Sequence, residues 1–472
     1  MSIKTQLVVI GGGPGGYAAA FLAADLGMEV TLIDLEKNPG GVCLYRGCIP
    51  SKALLHIAKL IKEAEEAKKW GVDFGEPKID LDKLRDFKNG VVNRLTGGLG
   101  QLAKQRKVNY INGKATFTNS NTLSVAKVDG TTEEVVYEKA ILATGSIPVK
   151  VPGLSIDSPR VMDSTSALEL NDIPKRLLVI GGGYIGLELS TVYAALGSKV
   201  TVVEMLPGLL PGADRDLVAV LDKRVKSMME NVFTETKVVE LKESGEGIKV
   251  RLEGSKITEP EQIFDKVLIS VGRKPVTTGF GLENTKVKVS ERGFVVVDNT
   301  LKTDDPNIYA IGDIVGNPML AHKAAAEGKV AVEAILGRKV VFEPNAIPAV
   351  VFTDPELAWA GITEIEAREK GIKVEVAKFP WGASGRATTL DRNDGMTKLI
   401  IEPGTERILG VGMVGVGAGD MIAEGTLAIE MGAVVKDLEL TIHPHPTLSE
   451  TMMAAAEVFY GRATDMYRPK RK

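Results

Sequence analysis

Only two cysteines occur in the 472 residues, Cys43 and Cys48, and they stand five positions apart in one segment. A secreted disulfide framework needs more cysteines, whereas a single close pair is typical of catalytic, redox-sensing or metal-binding sites. A zinc site requires two further ligands nearby, and only His56 follows, so no metal site is expected. The pair is therefore expected to interchange between dithiol and disulfide, and an inert pair of buried thiols is the alternative.

The spacing of the two cysteines predicts a local break in the backbone. In a regular helix, residues five apart are separated by about 7.5 Å along the axis, beyond the roughly 6.8 Å that a disulfide allows between Cα atoms. Gly47 and Pro50 flank Cys48 and indicate that the segment is not a regular helix there. Lys52 stands four residues after Cys48, where its ammonium would favour a thiolate.

An internal repeat predicts the elements that carry this segment. The run that begins at Leu7 (LVVIGGGPGG) is echoed 170 residues later by the run that begins at Leu177 (LLVIGGGYIG). Each run is a strand followed by a glycine-rich turn, where the backbone approaches a pyrophosphate at a helix N-terminus, and an acid ends the next strand, where it binds a ribose diol. The residues concerned are Gly11, Gly13, Gly16 and Asp34 in the first unit, and Gly181, Gly183, Gly186 and Glu204 in the second.

The fold class predicted from these patterns is α/β, with two Rossmann-like dinucleotide-binding domains and a C-terminal α+β dimerisation domain. Short apolar strands that end near Thr144 and Gly145, at Gly272 and at Asp313 return the chain to a nucleotide site. We expect four segments: 1–148 and 149–271 as the two dinucleotide domains, 272–344 as a central segment that completes the first site, and 345–472 as the interface domain.

Composition and charge limit the partners. The 58 Lys and Arg residues nearly balance the 61 Asp and Glu residues, a net charge of −3, so neither nucleic acid nor a membrane surface is an expected partner. No apolar run is long enough for a membrane span, and the N-terminus shows no signal or transit pattern. We therefore expect a cytoplasmic protein.

Residues 40–56 (GGVCLYRGCIPSKALLH) resemble the active-site segment of the pyridine nucleotide–disulfide oxidoreductases, in particular of those that oxidise dihydrolipoamide. The resemblance covers essentially the whole chain, including Gly312-Asp313, residues 320–323 (LAHK) and residues 443–450 (HPHPTLSE). It implies that the first unit binds FAD and the second NAD. It also implies that Cys43 exchanges with substrate, that Cys48 lies against the flavin, and that Lys52 pairs with Glu188.

The resemblance assigns further roles. Asp313 would hold the ribitol chain, the backbones at Ala115 and Ala321 would complete the FAD site, and Val238 and Gly272 would border NAD. A base must take the thiol proton, and His445, oriented by Glu450, has the suitable chemistry and family position. His445 would come from the second subunit of a homodimer whose partners are lipoyl domains and the core of 2-oxo acid dehydrogenase complexes.

Related enzymes are distinguished by particular residues. Glu204 repels the 2′-phosphate of NADP, which glutathione reductases use. Mercuric and large thioredoxin reductases need a further C-terminal cysteine or selenocysteine, which this chain lacks. Soluble transhydrogenases lack the redox cysteine pair. A flavoprotein scaffold or NAD sensor without turnover is the alternative from another class. Tyr45 and Arg46 depart from the family pattern of Asn and a small or apolar residue, and the added cation is hypothesised to lower a thiol pKa.

Overall fold

The first region of the chain is a sheet covered by helices. In the computed structural model, which describes residues 2–466, Pro14 occupies the first turn of α1, where its missing N–H costs no hydrogen bond. The elements in chain order are β1 (Ile3–Ile10), α1 (Pro14–Asp25), β2 (Val30–Asp34), α2 (Gly41–Arg46), α3 (Cys48–Glu66), α4 (Leu81–Gln105), β3 (Asn109–Asn119), β4 (Thr122–Lys127), β5 (Thr132–Leu142) and β6 (Ser146–Pro148).

The second region repeats the strand–helix–strand start of the first. Its elements are β7 (Val161–Met162), α5 (Ser164–Glu169), β8 (Arg176–Ile180), α6 (Tyr184–Ala195), β9 (Lys199–Val203), α7 (Arg215–Met228), β10 (Asn231–Phe233), β11 (Thr236–Ser244), β12 (Gly247–Gly254), β13 (Glu261–Phe264) and β14 (Lys266–Ile269).

The rest of the chain returns to the first sheet and then forms a separate antiparallel sheet. The returning elements are β15 (Arg273–Pro275), β16 (Ile308–Ala310) and α8 (Ala321–Ile335). The last elements are β17 (Ala349–Val351), β18 (Glu356–Gly361), α9 (Glu364–Glu369), β19 (Glu375–Pro380), α10 (Gly385–Thr389), β20 (Met396–Ile401), β21 (Ile408–Gly415), α11 (Ala418–Glu430), α12 (Val435–Leu440) and α13 (Glu450–Tyr460).

The strands pair in the way that the repeat predicts. In the first sheet β16, β5, β1, β2 and β3 run parallel, and β4 joins β3 to β5 in an antiparallel ribbon. In the second sheet β10, β9, β8, β14 and β7 run parallel. The register of the two units is the same, since Leu7 lies opposite Val30 and Leu177 lies opposite Val200. Both strand pairs are apolar on both faces because helices or other strands cover each face.

A third, antiparallel sheet lies near the C-terminus, in the order β17-β18-β21-β20-β19, and packs with α11 and α13 around a core of its own. The predicted α/β class with a C-terminal α+β unit is confirmed. The segment borders drawn from the sequence stay predictions. Within residues 2–466, no helix combines the length and apolar character that a membrane span requires.

Candidate active site

The two cysteines lie on either side of a break between two helices. Cys43 is in α2 and Cys48 is the first residue of α3. Gly47 separates them with φ −145° and ψ −115°, a backbone conformation that no helix continues. The two side chains are hydrogen-bonded to each other as free thiols. The predicted break is therefore confirmed, and it brings the two sulfur atoms together despite their five-residue spacing.

The surroundings of the pair make the two thiols unequal. The hydrogen bond from Cys43 is the main cause that lowers the pKa of Cys48 to about 7, and the nearby Lys52 ammonium acts in the same direction against burial. The same hydrogen bond, together with burial, raises the pKa of Cys43 above its ordinary value. Cys48 is thus the sulfur that carries negative charge near neutral pH, while Cys43 keeps its proton.

Lys52 is held beside the cysteines by an ion pair from the second region. Its Nζ lies 2.7 Å from Glu188 Oε2 on α6, and the Glu188 side chain is 4% exposed. The other carboxylate oxygen, Oε1, accepts a hydrogen bond of 3.1 Å from the backbone N–H of Phe352, whose ring lies 4.5 Å from Lys52 Nζ. The ammonium is therefore fixed from two sides, by a buried carboxylate and an aromatic ring.

One cavity contains the cysteines, the Lys52–Glu188 pair and most of the residues predicted for the first dinucleotide. It runs from the β2 end of the first sheet to the N-terminus of α6. The predicted residues along it are Gly11, Gly13, Asp34, Cys43, Cys48, Lys52, Ala115, Thr144, Gly145, Glu188, Asp313 and Ala321.

The glycines test whether a pyrophosphate fits this cavity. A Cβ at Gly11, where φ is +104°, would lie 2.2 Å from Ala143 O, and one at Gly16 would lie 1.8 Å from Gly11 O. A Cβ at Gly13 would have Gly41 Cα, at 4.0 Å, as its one neighbour. The first and third glycines are therefore needed for close packing, and the second leaves its backbone open to the cavity. The turn fits a dinucleotide pyrophosphate.

Gly16 does not line the cavity and packs against the turn at Gly11, and its contact with a cofactor stays a prediction. The second unit repeats the pattern: a Cβ would clash at Gly181 and Gly186, whereas Gly183 has no neighbouring atom within 4 Å. Gly186 is thus also needed for close packing, and its contact with a cofactor stays a prediction.

The acids at the ends of β2 and β9 are placed in the same way. Asp34 Oδ2 accepts a hydrogen bond from Gly12 N at 2.5 Å, and Glu204 Oε2 accepts one from Gly182 N at 2.7 Å. Each carboxylate is thereby fixed at its glycine-rich turn, where it can also accept from the hydroxyls of a ribose. The two units have equivalent geometry for two dinucleotides.

The residues predicted for the second dinucleotide lie outside the large cavity. Gly272 follows β14 with φ +121° and has open space around it. Val238 is 5% exposed and belongs to a core cluster with Leu178 and Val203, and its contact with NAD stays a prediction. The pairing of β11 with β12 shifts register between Val238 and Glu240.

Sequence reasoning missed Ser146, which holds Asp313, and Arg273, which holds Ser146. Ser146 Oγ donates a 2.5 Å hydrogen bond to Asp313 Oδ2, and it accepts one of 2.8 Å from Arg273 Nε. Ser146 is 2% exposed and Arg273 lines the cavity. The available signal was their position, since each comes directly after a glycine predicted for a dinucleotide site, Gly145 or Gly272.

The predicted base and its acid are paired with each other but stand apart from the cysteines. His445 Nδ1 lies 2.9 Å from Glu450 Oε1, and Glu450 Oε2 accepts from Thr447 N at 2.7 Å. A carboxylate at Nδ1 places the ring proton there and leaves Nε2 as an acceptor. The His445 side chain is 76% exposed and does not line the cavity that holds Cys43.

The other histidines have partners of their own or lie at the surface. His443 Nε2 lies 2.7 Å from Glu424 Oε1, His322 Nε2 lies 2.8 Å from Pro348 O, and His56 is exposed. Arg46 forms an ion pair with Glu36. The partner thiol and burial are the leading causes that shift the two thiol pKa values, and Lys52 is a nearby cation that lowers both. The hypothesis that Arg46 lowers a thiol pKa stays a prediction.

Comparison with known families divides the chain into two matched parts. Residues 5–328 match the family described as pyridine nucleotide-disulphide oxidoreductase. Residues 347–456 match the dimerisation domain of the same family. Together the two matches include both glycine-rich units, the cysteine pair, His445 and Glu450.

Similar proteins cover the whole chain. The dihydrolipoyl dehydrogenase of Vibrio cholerae is 50% identical over 470 residues, 100% of this chain and 98% of that protein. The enzyme of the same name from Haemophilus influenzae is 49% identical, with the same coverage. Among solved structures, LpdA from Mycobacterium tuberculosis is 26% identical with a TM-score of 0.88, covering 96% of this chain and 99% of LpdA. The flavoprotein disulfide reductase RclA from Escherichia coli is 30% identical with a TM-score of 0.84 and the same coverage.

Proposed function

The chain belongs to the pyridine nucleotide–disulphide oxidoreductase family, and we propose that it oxidises dihydrolipoamide to lipoamide with reduction of NAD to NADH. The observation that carries the proposal is the unequal thiol pair, Cys43 and Cys48, inside a dinucleotide cavity beside Lys52. Full-length relatives with about half of their residues identical have the name dihydrolipoyl dehydrogenase, which supports this substrate.

The family uses FAD and NAD, and the chain has one dinucleotide unit for each. The FAD unit has Gly11, Gly13 and Asp34, and the NAD unit has Gly181, Gly183 and Glu204. FAD, when bound, accepts an electron pair from the reduced cysteines and delivers it to NAD as hydride. The further FAD contacts that we propose are at Ala115, Thr144, Gly145, Asp313 and Ala321, all of which line the cavity.

The cysteines perform a thiol–disulfide exchange. One thiolate of dihydrolipoamide attacks Cys43 of the oxidised pair, the bond between the cysteines breaks, and Cys48 leaves as a thiolate. The second substrate thiol then attacks the sulfur bound to Cys43, which releases lipoamide and leaves both cysteines reduced. Cys48 suits the leaving role because its pKa is about 7 and Lys52 stabilises its negative charge.

His445 removes the substrate proton in this proposal, and Glu450 stabilises the imidazolium that forms. A base must come within about 3 Å of the thiol, or act through one water, yet His445 does not line the cavity of its own chain. The dimerisation domain indicates a homodimer. We infer that each site uses the cysteines of one chain and His445 of the other.

The partners and the location follow from the proposed substrate. Dihydrolipoamide is carried on lipoyl domains, so the homodimer would serve the core of a 2-oxo acid dehydrogenase complex. A cytoplasmic location suits a cysteine pair that must be reduced and reoxidised in each turnover.

The second dinucleotide unit suits NAD rather than NADP. In both units the acid, Asp34 or Glu204, accepts a hydrogen bond from a backbone N–H. The negative charge of Glu204 disfavours the 2′-phosphate of NADP.

NADH formation from dihydrolipoamide and NAD by the purified protein tests the proposal, with NADPH and oxidised glutathione as the comparison. We expect rapid NADH formation and no glutathione reduction. A Cys48→Ser variant, matched in size, should retain FAD but lose NADH formation. A yellow protein that is silent in both assays would contradict the proposal and favour a scaffold without turnover.

A further inference from the structure

Two residues that depart from the family pattern fasten the loop that enters the redox helices. Residues 35–40 connect β2 to α2. Tyr45 Oη donates a 3.1 Å hydrogen bond to the carbonyl of Asn38 and accepts one of 3.3 Å from its N–H. Arg46 forms an ion pair with the Glu36 carboxylate in the same loop. Both unusual side chains of α2 therefore bind one loop.

The same loop is held from the side of β3. Tyr110 Oη donates to the carbonyl of Glu36 at 2.7 Å, and Asn112 Nδ2 donates to that carbonyl at 2.9 Å. The Glu36 N–H donates to Asp34 Oδ1 at 2.8 Å. The backbone of Glu36 is thereby fixed relative to Asp34, and its side chain is left for Arg46.

The ion pair stands at the edge of the cofactor cavity. Glu36 and Arg46 both line it, together with Asp34, and their side chains are 25% and 40% exposed. The pair thus lies between the cavity and solvent at the end where Asp34 is placed for a ribose. The guanidinium is close enough to affect that acid: burial raises the pKa of Asp34, and the charge of Arg46 acts in the opposite direction.

We propose that Arg46, held by Glu36, is an FAD-binding residue at the adenosine end of the cavity, and that Tyr45 is a positioning residue for the loop that carries the pair. The inference rests on the FAD site of the proposed function. Arginine suits this place because it is always charged and offers several donors to the oxygens of an anionic dinucleotide. An ion pair across the cavity edge should slow the departure of FAD.

FAD release from the purified holoprotein tests the inference, because it does not depend on turnover. Release into excess buffer is followed by the recovery of flavin fluorescence. In Arg46→Val we expect FAD to dissociate at least about tenfold faster than in wild type, which corresponds to about 1.4 kcal/mol. Arg338→Val is the control, since the Arg338–Glu333 pair has similar exposures of 49% and 32% but lies outside the cavity.

Glu36→Gln tests the role of the pair. It should speed FAD release nearly as much as Arg46→Val, and the double variant should be no faster than Arg46→Val alone, because the two side chains act as one unit. Tyr45→Phe should show a smaller increase. If Arg46→Val folds poorly, as judged by circular dichroism, Arg46→Gln replaces it.

The outcomes separate this inference from the proposed function. Unchanged FAD release in both Arg46 variants, with FAD bound by wild type, would overturn the role of Arg46. Unchanged release in Glu36→Gln alone would overturn the paired arrangement. A wild-type protein that binds no FAD would instead contradict the proposed function.

Discussion

Lys52 Nζ lies 2.7 Å from Glu188 Oε2, and this contact joins the redox helix α3 to helix α6 of the second dinucleotide unit. Phe352, just after β17, adds a ring 4.5 Å from the ammonium and an N–H to the carboxylate. Three separate parts of the chain therefore meet at one positive charge. That charge stands beside Cys48 and lowers its pKa.

Replacing Lys52 by Met should raise the pKa of Cys48 from about 7 toward its ordinary value, by about one unit. In wild type the thiolate should form as the pH rises through about 7, and in the variant it should form at higher pH. Thiolate absorbance of the reduced holoprotein, measured against a Cys48→Ser blank, reports this titration. Lys62→Met is the control, because Lys62 lies on the same helix but pairs with the exposed Glu65, and it should leave the midpoint of the Cys48 titration unchanged. Equal midpoints in wild type and both lysine variants would contradict the role of Lys52.

Replacing His445 by Gln should slow reduction of the enzyme by dihydrolipoamide by roughly 10²- to 10⁴-fold, the usual contribution of a general base. Reoxidation of the reduced enzyme by NAD should change little, because no substrate thiol is deprotonated in that half-reaction. Stopped-flow absorbance separates the two halves. His443→Gln is the matched control, since His443 pairs with Glu424 instead. Equal slowing of both half-reactions would argue for a structural role of His445.

Mixing two inactive variants tests whether the base comes from the partner chain. Cys48→Ser and His445→Gln homodimers should each be inactive, but a hybrid dimer has one site with intact cysteines facing an intact histidine. Half of a random mixture is hybrid and each hybrid has one such site, so about a quarter of wild-type activity should return after subunit exchange. A base from the same chain would leave every site of the mixture defective, and activity would stay absent.

The sequence predicts the two dinucleotide units well because their determinants are local. A strand, a glycine-rich turn and an acid at a fixed distance each have a strict steric or chemical requirement, and the registers of β1 with β2 and of β8 with β9 agree with the repeat. The break at Gly47 was also predictable, because five-residue spacing in a regular helix keeps two sulfurs apart.

Contacts between distant segments could not be read in this way. Phe352 meets Lys52 across 300 residues of chain, and the Ser146–Asp313 hydrogen bond joins residues that are 167 positions apart. The partner of Arg46 could not be read either, because its sequence neighbours are the cysteines, whereas Glu36 precedes the helix. The sequence supplies the charge of a side chain but not its direction.

Lys398 is a further case without a signal in the sequence. It lies on β20, its side chain is fully buried, and its Nζ lies 2.6 Å from Asp214, 2.8 Å from Asp216 and 2.9 Å from Glu364. Asp214 and Asp216 lie at the start of α7, and Glu364 begins α9. One buried ammonium therefore contacts three carboxylates and ties the second dinucleotide unit to the C-terminal sheet.

Replacing Lys398 by Met should destabilise the protein by about 3–5 kcal/mol, because the variant leaves the buried Asp214 carboxylate without its cation. The thermal midpoint, followed by circular dichroism, should fall by at least about 5 °C. Lys378→Met is the control: this lysine contacts Asp216 and Glu364 but is 41% exposed, so its loss should cost no more than about 1 kcal/mol.

Burial raises the pKa of Asp216, but hydrogen bonds from Lys378 and Lys398 outweigh it and hold the pKa below its ordinary value. The stability that this acid contributes is therefore present above its ordinary pKa and is lost as the pH falls through the lowered value. The difference in midpoint between Lys398→Met and wild type should accordingly narrow in acid, and a difference that widens there would contradict the electrostatic explanation.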